Sequence, residues 1–156
     1  MNSAVLGLQH CLEHEIVQAR RFLAALQAEA QALETPDNGE ALTGSTRQKA
    51  ACAEDLSKAG LARQAALREL GYSADRQGLD AAVEANACLL DASRQLLELG
   101  RRASELNDAN GIVIDTYLKH NQQALDTLRK IAGDASLYDA SGRASRVPGQ
   151  RKSIRA

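Results

Sequence analysis

Apolar residues recur at steps of three and four between Val5 and Leu33, the spacing that places side chains along one face of an α-helix. The positions are Val5, Leu8, Leu12, Ile16, Ala19, Leu23, Leu26, Ala30 and Leu33. The residues that follow, TPDNG at 35–39, contain a proline that disfavours helix at the residue before it and an Asn-Gly pair that favours a turn. This pattern predicts a first long helix that ends just before the proline.

A second, sparser stripe predicts another helix that is certain from Ser45 onward and ends at Gly71. Ser45 and Gln48 have the spacing of a helix-capping box, although a start near Glu40 with Gly44 inside the helix remains an alternative. The stripe is Ala50, Ala53, Leu56, Gly60, Leu67 and Leu70. Its small side chains allow a neighbouring helix to approach closely. Gly71 stands where a helix C-terminal glycine is preferred.

Residues 73–78 form a connection in which Asp75 is the candidate cap for the next helix. From Leu79 to Ala132 the chain contains no proline, and a break near Asn86 would divide it into a short helix and a long one. The apolar stripe is Leu79, Val83, Leu90, Leu97, Leu106, Val113, Tyr117, Ala124, Leu128 and Ile131, widened by Leu96, Leu99, Ile114, Leu118 and Leu125. A helix this long needs partners along its length.

We therefore predict an all-α fold, an elongated antiparallel bundle of three long helices at residues 1–133, with one extra short helix near 76–86 as an alternative. Aromatic residues are only 3% of the chain, against 29 Ala and 22 Leu, which disfavours strands and a base-stacking surface. Residues 134–156 lose the pattern and are predicted to be a flexible tail with two acids and five bases, against a net charge of −4 on the body. Such a tail is either an interaction arm or plain solvated chain.

The sequence also predicts the compartment. No stretch approaches the roughly 20 apolar residues of a membrane span, and the first residues lack the basic start of a secretory signal. The three cysteines, Cys11, Cys52 and Cys88, are far apart, which favours free thiols in a reducing environment. We expect a cytoplasmic protein without a membrane span.

Candidate chemistry is sparse. His10 and His14 have a spacing at which two ligands can share a metal, but the order of residues is not that of a zinc protease and no third ligand is in view. Phosphate-binding loops and nucleophile motifs are missing, and His120 has no motif around it. We predict a protein that is not an enzyme, has no metal or cofactor and binds no nucleic acid. A helical metalloenzyme using the two histidines and an RNA binder using the basic tail are alternatives.

Three asparagines, Asn107, Asn110 and Asn121, lie on or beside the apolar stripe of the last helix. A buried asparagine is costly unless its amide is hydrogen-bonded. Two hypotheses remain open: these residues set the register of the bundle, or the helix surface is left open for a partner. The second is suggested by an apolar cluster wider than one stripe, at Ile112, Val113, Ile114, Tyr117 and Leu118.

The segment LNDANGIVI at residues 106–114, followed by Asn121, Leu125 and Leu128 and by LYDASGR at 137–143, resembles the C-terminal half of the FlgN family of flagellar type III export chaperones. The specific resemblance covers Arg101 to Arg143. The first half is similar only as long helices with an RxxxLxxLG ending, here Arg63, Leu67, Leu70 and Gly71.

The resemblance implies a cytoplasmic chaperone, without catalytic activity, for hook-associated proteins 1 and 3, the hook–filament junction proteins. It would protect their polymerisation-prone terminal helices and deliver them to the export machinery and its ATPase complex. The implied client-binding residues are Asn107, Asn110, Ile114, Tyr117, Asn121, Leu125, Leu128, Leu137 and Tyr138. The competing hypothesis is a structural coiled-coil adaptor or self-associating bundle, in which the same cluster forms a homodimer.

Overall fold

A computed structural model describes residues 2–37 and 39–134, and all regular secondary structure in these ranges is helical. The helices are α1 (Ser3–Glu34), α2 (Gly39–Glu69), α3 (Arg76–Ala85) and α4 (Leu90–Asp134), with a single 3₁₀ turn at Ala87–Leu89 before α4. The all-α bundle of three long helices with one extra short helix is confirmed. The described residues divide into two units, one ending at Ile114 and the other beginning at Asp115, so that α4 contributes to both.

The ends of the first two helices follow from local chemistry. Asn2 caps α1 by accepting the N–H of Ala4 at 3.2 Å, and α1 ends at Glu34, with the extended Thr35 as its C-cap directly before the proline. Helix α2 already begins at Gly39, so the earlier of the two predicted starts is correct. The capping box at Ser45 is wrong, because Ser45 lies inside the helix and its hydroxyl donates to the carbonyl of Leu42 at 2.9 Å.

The connection between α2 and α3 matches the sequence prediction closely. Gly71 has a φ of +83°, and the N–H of Tyr72 donates to the carbonyl of Leu67 at 2.9 Å, which is the glycine-terminated helix end known as a Schellman motif. Asp75 then caps α3 by accepting the N–H of Gly78 at 2.9 Å. The predicted break at Asn86 is also confirmed, since this residue terminates α3.

The hydrophobic core of the first unit is organised around α1. The apolar stripe of this helix is buried from Val5 to Leu26, and Ala30 and Leu33 are half-buried. The residues packed against it from the other elements are Leu67, Leu79, Ala82, Leu89, Ala92, Leu99 and Ala103. The short α3 and the 3₁₀ turn therefore close the core together with α2 and the first part of α4.

Polar contacts establish the helix directions. Glu15 pairs with Arg63 and Glu29 pairs with Lys49, so α1 and α2 are antiparallel. Arg20 donates to Gln95 at 3.1 Å and Asn110 donates to the Leu26 carbonyl at 3.0 Å, so α1 and residues 90–114 of α4 are parallel.

The predicted stripe of α2 is confirmed in its second half and wrong in its first half. Leu67 is buried and Leu56 and Leu70 pack half-buried against the core, whereas Ala50 and Ala53, which the stripe also placed inside, are exposed. The physical reason is that the first half of α2 meets α1 through the charged side chain of Lys49, so the inward face there is not the face with the most apolar residues.

Candidate functional site

Glu29 is the centre of a buried polar cluster in the first unit. Its side chain is fully buried, with one carboxylate oxygen 2.8 Å from Nζ of Lys49 and the other accepting from Nδ2 of Asn110 at 3.0 Å. Asn110 is itself buried and also donates to the carbonyl of Leu26. The structure thus places Asn110 in the interior, which favours the register hypothesis for this residue over a contact with a partner. Asn107, one turn earlier, is exposed.

Residues 115–133, the part of α4 in the second unit, are exposed to solvent. This holds for every side chain of the segment in the described structure, including the large apolar ones. Tyr117, Leu118, Leu125, Leu128 and Ile131 are between 48% and 62% exposed. Contiguous exposed apolar surface of this kind commonly marks a site of protein–protein interaction.

These side chains share one face of the helix. At 3.6 residues per turn, the apolar residues of this segment fall within an arc of about 140° around the helix axis, with Asn121 at its centre. The residues in the arc are Tyr117, Leu118, Asn121, Ala124, Leu125, Leu128, Ile131 and Ala132. All the charged side chains of residues 115–133 fall outside it. We call this surface the apolar face of residues 115–133.

On the polar side of the same segment, several side chains form contacts within the helix. Gln122 donates to Asp126 at 2.9 Å, Arg129 lies 3.6 Å from Asp126, and the Thr127 hydroxyl donates to the carbonyl of Gln123. These contacts are exposed and contribute little to stability. Because the charges are outside the arc, a partner on the apolar face would be recognised mainly by apolar contact and by the Asn121 amide.

The predicted site residues do not all lie on one surface. Tyr117, Asn121, Leu125 and Leu128 come together on the apolar face of residues 115–133. In the first unit, Asn107 is exposed and Ile114 is half-buried. Leu137 and Tyr138 lie outside the described residues.

Leu118 and Ile131 belong to the apolar face but were absent from the predicted client-binding set. Both residues lie on the helical stripe that the sequence pattern had identified. Their spacing was therefore the signal that could have added them to the set.

Other candidate chemistry is weaker. His10 and His14 are both exposed, and the contact at His14 is with Gln18, whose Nε2 lies 3.3 Å from the imidazole Nε2. Among residues 2–37 and 39–134 no group of three or more His, Cys, Asp or Glu residues is arranged to hold a metal ion. Cys11, Cys52 and Cys88 are free. Within the described ranges, no helix combines the length and apolarity needed to cross a membrane.

A comparison with known protein families shows which family the chain belongs to. The model of the family described as FlgN protein matches residues 1–146. The chain belongs to the FlgN family. The FlgN match extends far beyond the segment from Arg101 to Arg143 on which the sequence resemblance rested, and it includes both the α1-centred core and the apolar face of residues 115–133. No curated protein and no solved structure matched the chain.

FlgN proteins are chaperones of flagellar protein export, and this establishes the general role of the chain. In this FlgN chain the apolar face of residues 115–133 is exposed along its whole length, which makes it a candidate surface for contact with another polypeptide.

Proposed function

We propose that the chain binds hook-associated proteins 1 and 3 through the apolar face of residues 115–133. The observation that supports this is the exposure of five large apolar side chains on one side of a helix. An amphipathic client helix can pack on such a face by inserting its own apolar side chains between those of the chaperone. Tail residues Leu137 and Tyr138 are proposed to contribute to the same binding region.

In this proposal the chain acts in the cytoplasm and has no catalytic activity, metal or cofactor. By covering the polymerisation-prone terminal helices of its clients it prevents premature assembly. It then delivers the clients to the type III export apparatus, through contact with components of the export ATPase complex. The general chaperone role follows from the family, whereas these clients and this delivery step belong to the proposal.

The composition of the face favours reversible binding. Covering its half-exposed side chains is favourable by about 25 cal/mol per Å² of apolar surface. Ordering the client opposes binding, and so does desolvation of the Asn121 amide. A moderate net affinity results, which is what release at the export apparatus requires.

The test is a calorimetric titration of the full chain with purified hook-associated protein 1 or 3. We expect the double variant Leu125→Asp, Leu128→Asp to weaken binding by at least about a hundredfold, because two charges would be buried without partners. Leu61→Asp is the matched control, since Leu61 on α2 is 60% exposed and Leu128 is 61% exposed. Unchanged binding by the double variant, with helicity intact by circular dichroism, would refute the assigned surface.

Self-association is the second candidate, and the same exposed face favours it. Sedimentation equilibrium of the free chain separates the two possibilities. A dimer that persists at low concentration and is dissociated by Leu128→Asp would favour a self-associating adaptor, whereas a monomer that binds client favours the chaperone.

A further inference from the structure

The apolar face of residues 115–133 is wider than a single helix–helix seam. In heptad notation, Asn121 and Leu128 occupy a positions, Tyr117 and Ile131 occupy d positions, and Leu118 and Leu125 occupy e positions. In a two-stranded coiled coil only the a and d positions form the core. Apolar residues at a, d and e together are typical of a helix that packs against two neighbours in a bundle.

One partner helix cannot fully cover both edges of the face. Ile131 on the d edge and Leu118 on the e edge are separated by about 140° around the helix axis. A helix docked over the d edge leaves Leu118 and Leu125 exposed to solvent. A helix docked over the e edge leaves Tyr117 and Ile131 exposed instead.

Resting on the proposed function, we infer that the client presents two helical segments together, one on each edge, so that residues 115–133 become the third helix of a three-helix bundle. Asn121 then faces the line between the two client helices. Because a covered amide must be hydrogen-bonded, the client carries a polar side chain at this level.

A second copy of the chain does not satisfy the same surface. Through residues 115–133 it would supply one helix about 28 Å long and about 10 Å wide, which covers roughly 300 Å² on each partner. Specific interfaces bury at least about 600 Å² on each partner. Two client helices cover roughly 600 Å² and occupy both edges, whereas a single reciprocal helix leaves one edge exposed.

The experiment titrates the full chain with three probes from a hook-associated protein: its amino-terminal helical segment, its carboxyl-terminal helical segment, and both joined by a flexible Gly/Ser linker. We expect the joined probe to bind at least about a hundredfold more tightly than either segment alone, as linkage of two simultaneous contacts provides.

Edge variants assign the segments to the face. The pair Tyr117→Ala, Ile131→Ala removes the d edge and the pair Leu118→Ala, Leu125→Ala removes the e edge, while Leu61→Ala is the control. We expect each pair to weaken one separate segment by about tenfold and to leave the other unchanged, and both pairs to weaken the joined probe. Alanine preserves helix propensity, so helicity is expected to be intact.

Three results would overturn the inference. If one segment alone binds as tightly as the joined probe and only one edge matters, a single helix occupies the face, and the proposed function still stands. If neither the probes nor the intact hook-associated protein bind, the proposed function fails as well. If the free chain is a dimer that both edge variants dissociate, the occupant is a second copy.

Discussion

Asn110 donates its side-chain amide to the carboxylate of Glu29 at 3.0 Å, although the two residues are 81 positions apart in the chain. Lys49 supplies the charge that Glu29 requires, so one buried carboxylate connects α1, α2 and α4. A polar cluster of this kind fixes the relative register of the helices, because sliding any one of them would leave a buried charge without its partners.

Asn110→Asp should therefore strongly destabilise the bundle. The substitution places a second carboxylate against Glu29 and removes the donor to the carbonyl of Leu26. We expect the free energy of unfolding to fall by about 2–4 kcal/mol, measured by urea denaturation at neutral pH. The exposed Asn107→Asp is the matched control and should change stability by less than about 0.5 kcal/mol. Equal effects of the two variants would contradict the role assigned to Asn110.

The buried pair of Glu15 and Arg63 allows a second test. Nε of Arg63 donates to Oε2 of Glu15 at 2.7 Å, and the carboxylate side chain is only 8% exposed. Arg63→Met leaves this carboxylate without its partner and should cost about 3 kcal/mol in urea denaturation. Lys58→Met, which breaks the exposed pair of Lys58 with Glu54, should have no measurable effect.

The double variant Glu15→Leu, Arg63→Met separates loss of the partner from loss of packing. Because the uncompensated charge is gone, we expect it to recover most of the stability lost in Arg63→Met. If it is no more stable than the single variant, the pair does more than compensate a buried charge.

Asp75 gives a prediction about pH. Hydrogen bonds from the hydroxyl of Ser73 and from the N–H of Gly78 hold the pKa of the Asp75 carboxyl below its usual value. The stability contributed by the ionised cap is therefore complete above the pKa of the unfolded chain and is lost as the pH falls through the lower pKa of the folded chain.

Asp75→Asn keeps an oxygen acceptor for the cap but cannot titrate. We expect the stability difference between the natural chain and this variant to shrink as the pH is lowered from about 6 towards about 3, measured by urea denaturation. If the two stability curves run parallel over this range, Asp75 does not contribute the pH dependence.

Asn121 is predicted to limit which helices the apolar face accepts. Asn121→Leu removes the amide at the centre of the arc, so that apolar helices without a matching polar group can also bind. We expect tighter binding of an unrelated amphipathic helix by at least about tenfold in a fluorescence titration, together with reduced preference for hook-associated proteins. An unchanged preference would show that selectivity originates elsewhere.

The helix positions and most helix ends could be predicted because they depend on neighbours in sequence; the start of α2 is the exception. The proline after α1, Gly71 at the end of α2 and the Asp75 cap all act within a few residues. The inward face of α2 could be predicted only from Leu56 onward, since it also depends on the ion pairs of Lys49 and Arg63 with α1. Their partners on α1 are 20 and 48 positions away, and neither carboxylate lies on the apolar stripe.

The candidate site, too, could be predicted only where it depends on local spacing. Periodicity alone identified Tyr117, Leu125 and Leu128 as residues of one stripe. It could not separate Asn110, which is buried, from Asn121, which is exposed, because both lie beside the same stripe. Whether a stripe is covered depends on residues far away in the sequence, which local spacing does not specify.

Helix α2 has fewer buried residues than α1, which has a consequence for local unfolding. Only Ser45, Ala59 and Leu67 are buried in this helix, whereas α1 has buried residues at every turn from Val5 to Ala32. Cooperative opening begins where few apolar contacts hold the backbone. Amide protons of residues 40–58 should therefore exchange with deuterated solvent well before those of α1, so that the bundle loosens along one helix while its centre is still protected.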